Sequence, residues 1–233
     1  MKNNHDNFLS YSFLKSEFVK NSTILFIGTT TAQLLSVLLY PVFSRMYTPE
    51  QFGTFALFTS ITGIVALLSS GVFELAILLP KQDHKALALL LLVVLLTLSQ
   101  CLVFLIVILC CKHYLADRVL NNILIEPYLL LIPVSVILDN IFAAFTYYAN
   151  RNKYYALISQ SSINQGLGMN LAKLIFGLFH YTGGGLILGK IIGQLTSSIQ
   201  LVIQIIRKNT FNIRKIIKNE PQRTNGIKKT VAF

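Results

Sequence analysis

The sequence predicts an all-α, polytopic membrane protein, and three observations support this: its apolar runs, its composition and its lack of strand alternation. Of its 233 residues, 54% are hydrophobic and only 12% are charged, whereas a soluble domain has roughly a quarter charged residues. Six apolar runs reach the length of about 20 residues that a helix needs to cross the hydrocarbon layer. Because backbone groups in lipid must be paired within their own segment, each run is expected to be a helix. The runs lie near 23–43, 55–79, 86–111, 128–148, 154–180 and 184–206.

These runs divide the chain into three parts. Residues 1–22 are an N-terminal arm, residues 23–206 a lobe of six transmembrane helices, and residues 207–233 a basic tail. The first run is too long for the apolar region of a signal peptide, and no small-residue cleavage site follows it. We therefore expect it to remain as a membrane anchor.

The basic residues lie mostly on one side of the predicted membrane. If the spans alternate in direction, 15 Lys and Arg residues outside the runs fall on the side of the two termini and three on the other. The positive-inside rule then predicts that both termini are cytoplasmic. The net charge of +11 is explained by this topology and by attraction to anionic membrane lipid, and no nucleic-acid-binding module accompanies it. The larger group is Lys2, Lys15, Lys20, Lys81, Lys85, Arg151, Lys153, Arg207, Lys208, Arg214, Lys215, Lys218, Arg223, Lys228 and Lys229, and the smaller is Arg45, Lys112 and Arg118.

Polar side chains recur along one face of several predicted helices. A charge near the bilayer centre costs at least ~2.5 kcal/mol, so charged groups there usually face a bundle interior or an aqueous cavity. The runs contain four such residues, Glu74, Asp139, Lys173 and Lys190. In the fifth run, small and polar residues recur every three or four positions, which predicts one face that avoids lipid. That face comprises Ser159, Ser162, Gly166, Asn170, Lys173, Gly177 and His180. Three other runs carry similar series: Thr29, Gln33, Ser36 and Tyr40 in the first run, Thr59, Gly63, Ala66, Ser70 and Glu74 in the second, and Ser135, Asp139, Ala143, Thr146 and Asn150 in the fourth.

The third run has few polar residues, which predicts a lipid-exposed helix. Its Cys101, Cys110 and Cys111 are interpreted as small apolar side chains rather than as a disulfide or metal site. Proline removes a backbone donor and bends a helix, so Pro41 in the first run and Pro133 in the fourth predict kinks.

The sixth run carries small residues at every fourth position. Gly185, Gly189, Gly193 and Ser197 form a small-xxx-small series that allows two helix backbones to approach closely. Lys190 lies on a neighbouring face, where it either snorkels outward or contributes to a cavity.

The sequence shows no catalytic, nucleotide-binding or metal-binding pattern. Its four histidines are scattered without the spacing of metal ligands. Spans and short loops leave no extramembrane domain to host an enzyme. We therefore predict no enzyme activity, cofactor or metal, and transport is the leading function class, with a structural or assembly role as the alternative.

Four segments of the N-terminal third resemble the opening of bacterial polysaccharide biosynthesis proteins. These proteins are the O-antigen translocases, or lipid-linked oligosaccharide flippases, of the multidrug/oligosaccharidyl-lipid/polysaccharide exporter superfamily. The resemblance is specific over about residues 18–88 and depends on hydropathy beyond them. The segments read FIG at 26–28, AQLLS at 32–36, YPVFSRMYTPEQFGTFALF at 40–58 and FELAILLPK at 73–81.

This resemblance implies two six-helix lobes around a central cavity in the bacterial inner membrane, which flip an undecaprenyl-diphosphate-linked sugar unit for O-antigen, lipopolysaccharide or another surface polysaccharide. The chain matches one lobe only. Either the gene is truncated or frameshifted, or the chain pairs with a second six-helix lobe or as a homodimer. Polysaccharide polymerase and glycosyltransferases are further expected partners.

The expected substrate also suggests which residues line the cavity. Cationic side chains would offset the charge of a lipid diphosphate, while hydroxyl and amide groups would meet the sugar. Asp139 is a candidate for a coupling proton or for a structural ion pair, and Glu74 for gating or packing. The substrate-binding candidates are Lys173, Lys190, Asn170 and Gln33, with Arg45 and Arg151 near the two mouths.

Other functions remain open. The chain could be a cation-coupled exporter of small amphipathic molecules from the same superfamily, for which more aromatic and acidic cavity residues are expected. It could also be a non-transporting membrane subunit or an inactive fragment. A glycan polymerase or ligase is disfavoured, because the longest predicted extracytoplasmic loop, residues 112–127, is short.

Overall fold

The structure is a computed structural model that describes residues 3–71, 73–80, 82–114, 123–179 and 184–230. All regular secondary structure in these ranges is helical, so the predicted all-α fold is confirmed. Short 3₁₀ helices lie at Phe73–Leu78 and Ile123–Ile125. The α-helices are α1 (Asn3–Met46), α2 (Pro49–Ser70), α3 (Asp83–Tyr114), the short α4 (Glu126–Leu129), α5 (Ile132–Arg151), α6 (Tyr155–Leu178) and α7 (Gly185–Thr230).

Five segments of the described chain are long and apolar enough to cross a membrane. They are Ser22–Met46, Pro49–Ser70, Lys85–Cys110, Glu126–Arg151 and Gly185–Lys208. The remaining long helix, α6, has 24 residues, which is long enough to span, but its many polar side chains lower its hydropathy. It packs mainly against α1 and α7, so its polar side chains are largely shielded.

The long helices alternate in direction. Gly28 of α1 contacts Ser159 of α6, and further along both helices Ala32 lies against Gly166, so α1 and α6 run parallel. Helix α7 runs antiparallel to α6, because its Gly189 contacts Lys173 whereas Gln204, further along α7, donates a hydrogen bond to the earlier Gln160 of α6. This order is the one expected when each long helix crosses the membrane once.

Contacts between the connections define the two ends of the bundle. At one end, the Arg151 guanidinium donates to the Pro80 carbonyl at 3.0 and 3.2 Å, which joins the α2–α3 and α5–α6 connections. At the other end, Tyr128 lies against Gly184 and Tyr47 against Gly185. The apolar core is divided in the same way, with one cluster around Phe58, Ile132 and Ile187 and another around Ile77, Tyr148 and Leu201.

Helix α2 differs from the predicted second run at both of its ends. It begins at Pro49, after a capping box in which the Thr48 hydroxyl accepts from the Gln51 backbone and the Gln51 side chain accepts from the Thr48 backbone. It ends at Ser70, because Gly71 adopts a left-handed φ of 55° and donates its N–H to the Leu67 carbonyl. The predicted continuous run to residue 79 is therefore wrong. Glu74 lies in the following 3₁₀ helix rather than on the polar face of α2.

The two prolines for which kinks were predicted occupy different positions in their helices. Pro133 lies in the first turn of α5, where a missing N–H breaks no helical hydrogen bond, so the prediction of a kink within a longer helix is wrong. Helix α1 continues through Pro41 to Met46. The Ser44 hydroxyl donates to the Pro41 carbonyl at 2.9 Å.

Helix α3 lies on the outside of the bundle, in line with the prediction of a lipid-exposed helix. It exposes apolar side chains such as Leu91, Leu95 and Leu102 and buries Thr97 and Cys101 on its inner face. Helix α1 is more exposed still, since only 6% of its spanning segment is buried in the protein. It packs mainly along α6.

Candidate functional site

A cavity of about 740 Å³ lies among α1, α2, α5, α6 and α7. A second cavity of about 470 Å³ adjoins it toward the α1–α2 connection, and the two share Ser36, Phe55, Thr59 and Lys173. Both volumes lie in the usual range for small-molecule sites. Polar side chains of the larger cavity include Gln33, Asp139, Ser162, Gln165, Lys173, Lys190 and Gln194. The smaller cavity has an aromatic wall made of Tyr40, Phe43, Phe52 and Phe55.

Lys173 extends from α6 to the boundary between the two cavities and is only 7% exposed. Its ammonium lies 4.6 Å from the Phe55 ring centroid and 5.9 Å from that of Phe43, which is within the range of cation–π attraction. The absence of a side chain at Gly189 makes room for its aliphatic stem. In the described part of the chain, no carboxylate or hydrogen-bond acceptor pairs with this ammonium.

Lys190 on α7 has an acidic partner. Its ammonium lies 3.8 Å from Asp139 Oδ2 on α5 and 5.7 Å from the Phe58 ring centroid. Gln194 Nε2 donates to Asp139 Oδ1 at 2.6 Å, and the Ser135 hydroxyl donates to Gln194 Oε1 at 2.9 Å. Lys190 therefore points into the cavity in an ion pair instead of snorkelling outward.

The polar face predicted for the fifth run serves two different purposes. Part of it is a helix contact, since Ser159 and Gly166 pack against α1 and Asn170 Nδ2 donates to the Ser36 hydroxyl at 2.9 Å and to the Gly166 carbonyl at 2.8 Å. Ser162, Gly166 and Lys173 line the larger cavity. The described members of this face are buried or half-buried, which agrees with the prediction that the face avoids lipid, and its last member, His180, lies outside the described residues.

Asn170 has an unusual environment. It is 1% exposed, lines the smaller cavity, and its Oδ1 has no hydrogen-bond partner among the described residues. Gln33, the other amide candidate, lines the larger cavity. The two amide candidates therefore belong to different cavities.

The remaining candidates lie away from both cavities. Arg45 is exposed at the end of α1, and Arg151 holds the Pro80 carbonyl at the opposite end of the bundle. Glu74 is half-buried, and its Oε2 accepts no hydrogen bond in the described part of the chain. None of the three lines either cavity.

Two groups of cavity residues were not predicted as site residues. Gln165 and Gln194 line the larger cavity. The sequence could have indicated Gln194, because it follows Lys190 by one helical turn and therefore lies on the same face. Phe43 and Phe55 form the aromatic surroundings of Lys173, but apolar residues in a membrane helix give no sequence signal for such a role. No cluster of three potential metal ligands occurs in the ranges that the structure describes.

A match to a known protein family covers most of the helices described above. A family model described as "Polysaccharide biosynthesis protein" matches residues 42–219, which is more than half of the chain. The chain belongs to the polysaccharide biosynthesis protein family. The matched region contains Lys173, Lys190 and Asp139, and it extends well beyond the stretch in which the resemblance was first seen. No curated protein and no solved structure matches the chain.

Family membership and the apolar helices together describe a multi-pass membrane protein of polysaccharide biosynthesis. The resemblance noted in the sequence is thereby confirmed at the level of the family. The segments at 26–28 and 32–36 precede the matched region, although α1 residues of those segments, including Gln33, line the larger cavity.

Proposed function

We propose that this chain takes part in flipping an undecaprenyl-diphosphate-linked oligosaccharide across the bacterial inner membrane, for O-antigen or another surface polysaccharide. The observation that carries the proposal is the ammonium of Lys173, which borders both cavities without an anionic partner in the described part of the chain. Membership of the polysaccharide biosynthesis family supports the pathway.

The chemistry of the cavity wall suits an anionic sugar lipid. A diphosphate is costly to place in hydrocarbon, and a buried cation that lacks a counter-ion offsets that cost. Lys190 provides a second cation on the same wall. The amides of Gln33 and Gln165 and the hydroxyl of Ser162 provide hydrogen-bonding groups of the kind that recognise sugar hydroxyls.

A complete translocation pathway requires more than this lobe. The larger cavity is partly open, and on one side its wall is α1, which packs along little besides α6. In the proposal, a second six-helix lobe or a second copy of the chain closes this side. The basic residues orient both termini to the cytoplasm, where glycosyltransferases supply the substrate, and a polymerase uses it on the other side.

Export of small amphipathic molecules is the second candidate. The aromatic wall of the smaller cavity favours it, as does Asp139, a carboxylate that could carry a coupling proton. The larger cavity, however, has two lysines and one aspartate on its wall, and this excess of positive charge favours an anionic substrate over a cationic drug.

The proposal is tested by restoring surface polysaccharide in a translocase-deficient strain, with the chain fused to or co-expressed with a second six-helix lobe of the family. Lys173→Glu should abolish the polysaccharide because it replaces attraction by repulsion, while Lys173→Arg should retain part of it. The matched control is Lys153→Glu, which makes the same charge change at an exposed turn and should behave like the unmodified chain.

Two outcomes would contradict the proposal. If Lys173→Glu restores polysaccharide fully at an equal membrane level, the anion-binding role of Lys173 is wrong. If the unmodified chain restores none with any partner lobe, a non-transporting role is favoured instead. Increased drug tolerance of cells that express the unmodified chain would support the exporter alternative.

A further inference from the structure

The two lysines of the larger cavity differ in how they are held. Lys173 has aromatic rings around its ammonium and no carboxylate partner within the described ranges. Lys190 faces Asp139, whose other oxygen is bound to Gln194. The cavity therefore has one unpaired cation and one that is already neutralised by a residue of the protein itself.

The bond lengths indicate which partner of the ion pair is free to move. Charge-assisted hydrogen bonds measure about 2.7–2.9 Å; the bond from Gln194 Nε2 to Asp139 Oδ1 measures 2.6 Å, whereas Lys190 Nζ lies 3.8 Å from Asp139 Oδ2. Ser135 is fully buried and fixes the Gln194 amide through its hydroxyl. Asp139 is thus fixed in place, while the Lys190 ammonium can turn without breaking a short hydrogen bond.

The two lysines are also neighbours across the contact between α6 and α7. Gly189, which precedes Lys190, lies directly against the Lys173 stem. Both lysines line the larger cavity, so an anion held at Lys173 in that cavity shares it with Lys190. A ligand with two negative groups can engage both ammonium groups, provided that Lys190 leaves Asp139.

We infer that Asp139 is a built-in counter-ion that competes with the diphosphate of the substrate for Lys190. This inference rests on the proposed function and adds to it a residue that weakens binding. A resident carboxylate offsets one of the two positive charges on the cavity wall and lowers the cost of burying Lys190. When the diphosphate dissociates, Lys190 pairs with Asp139 again. This competition therefore favours release of the substrate and limits its affinity.

The experiment measures binding of inorganic diphosphate to the purified full chain in detergent by titration calorimetry. Asp139→Asn should bind diphosphate more tightly, by roughly 5- to 150-fold, the ordinary range of coupling between two sites. The asparagine Oδ1 still accepts from Gln194, so packing is retained, and a folding defect would weaken binding rather than tighten it. Glu50→Gln makes the same charge change at an exposed residue outside both cavities and should leave the affinity unchanged.

A double-mutant cycle separates competition for Lys190 from simple repulsion by Asp139. In a Lys190→Met background, Asp139→Asn should give a gain at least several-fold smaller than in the unmodified chain. A gain of equal size in the two backgrounds would overturn the inference. So would an unchanged affinity of Asp139→Asn in a chain whose diphosphate binding depends on Lys173.

Failure of the proposed function gives a different result. If Lys173→Met binds diphosphate as well as the unmodified chain does, the anion-binding role of Lys173 is wrong whatever Asp139 does. If neither the unmodified chain nor Asp139→Asn binds diphosphate, both proposals are wrong. A parallel titration with a short prenyl diphosphate distinguishes the free anion from the lipid-borne one, and Asp139→Asn should tighten both.

Discussion

Three ionisable side chains set the charge of the larger cavity. Lys173 and Lys190 contribute two positive charges and Asp139 one negative charge, so the wall has an excess of one cation when all three are ionised. In hydrocarbon such a charge is tolerated only where water or a ligand can reach it. The position of the Lys173 ammonium at the boundary of two cavities meets that condition.

Water in the cavity can be detected one residue at a time. In a chain whose three native cysteines are replaced by alanine, cysteines at Gln33 and Gln165 should react with a small hydrophilic thiol reagent, because both line the larger cavity. Cysteines at Leu167 and Leu171, on the exposed apolar side of α6, should stay unmodified, since lipid disfavours the reactive thiolate. Equal labelling at all four positions would exclude a water-filled, one-sided cavity.

At this scale the sequence predicted the charged residues of the cavity better than their partners. Lys173, Lys190 and Asp139 were identifiable because an ionisable residue within a span is costly and therefore rarely accidental. The pairing of Lys190 with Asp139 depends on how α5 packs against α7, which no local pattern encodes. Phe43 beside Lys173 was unpredictable for the same reason, because an aromatic residue in a span is ordinary.

At the scale of elements, small residues hold α6 between α1 and α7. A Cβ at Gly193 would lie 2.8 Å from the Gln165 carbonyl oxygen and 2.7 Å from the Met169 Cβ, and one at Gly166 would lie 3.1 Å from the Ala32 Cα. Close contact between helix backbones is the means of association expected in lipid, where apolar burial gives no driving force. The small-xxx-small series predicted for the sixth run is thereby confirmed as a packing surface.

This packing predicts opposite effects for two Gly→Ala substitutions. Gly193→Ala should destabilise the protein by about 1–3 kcal/mol, the usual cost of overpacking, because the backbones of α6 and α7 must separate. Gly63→Ala is the matched control, since no atom lies within 4 Å of its added Cβ, and alanine at an open helical position should be neutral or stabilising. Melting temperatures of the detergent-solubilised variants measure both effects. A Gly193→Ala protein as stable as the unmodified chain would contradict the close contact of α6 and α7.

Element boundaries were less predictable than element identity. Hydropathy alone extended the second run to residue 79, because the apolar residues of the 3₁₀ helix Phe73–Leu78 continue the pattern beyond Gly71. The left-handed conformation of Gly71 ends α2. The sequence does not indicate which of several glycines in the run adopts this conformation. Pro133 was placed within a run for the same reason, although the backbone of α5 begins one residue before it.

At the scale of the whole molecule, the alternating helices bring most of the basic connections to one end. The α2–α3 and α5–α6 connections meet through Arg151 and Pro80, and the same end carries the basic stretches that flank the spans of α1 and α7. Among the described residues, the opposite end, where Tyr47 meets Gly185, has only Arg45 and Lys112 outside the cavity. Because α1 runs parallel to α6 and α7 runs antiparallel to it, the beginning of α1 and the end of α7 lie toward the same end of the bundle.

The orientation itself is the last prediction, and it rests on that asymmetry of charge. Because translocation of Lys and Arg is disfavoured, the basic end should face the cytoplasm. In cells that express the cysteine-free chain, an impermeant thiol reagent added from outside should label a cysteine at Glu50, which is exposed after the end of α1. Cysteines at Gln82 and Lys153, exposed in the two basic connections, should be labelled only after the membrane is permeabilised. External labelling at Gln82 or Lys153 with none at Glu50 would show that the orientation is the reverse of the predicted one.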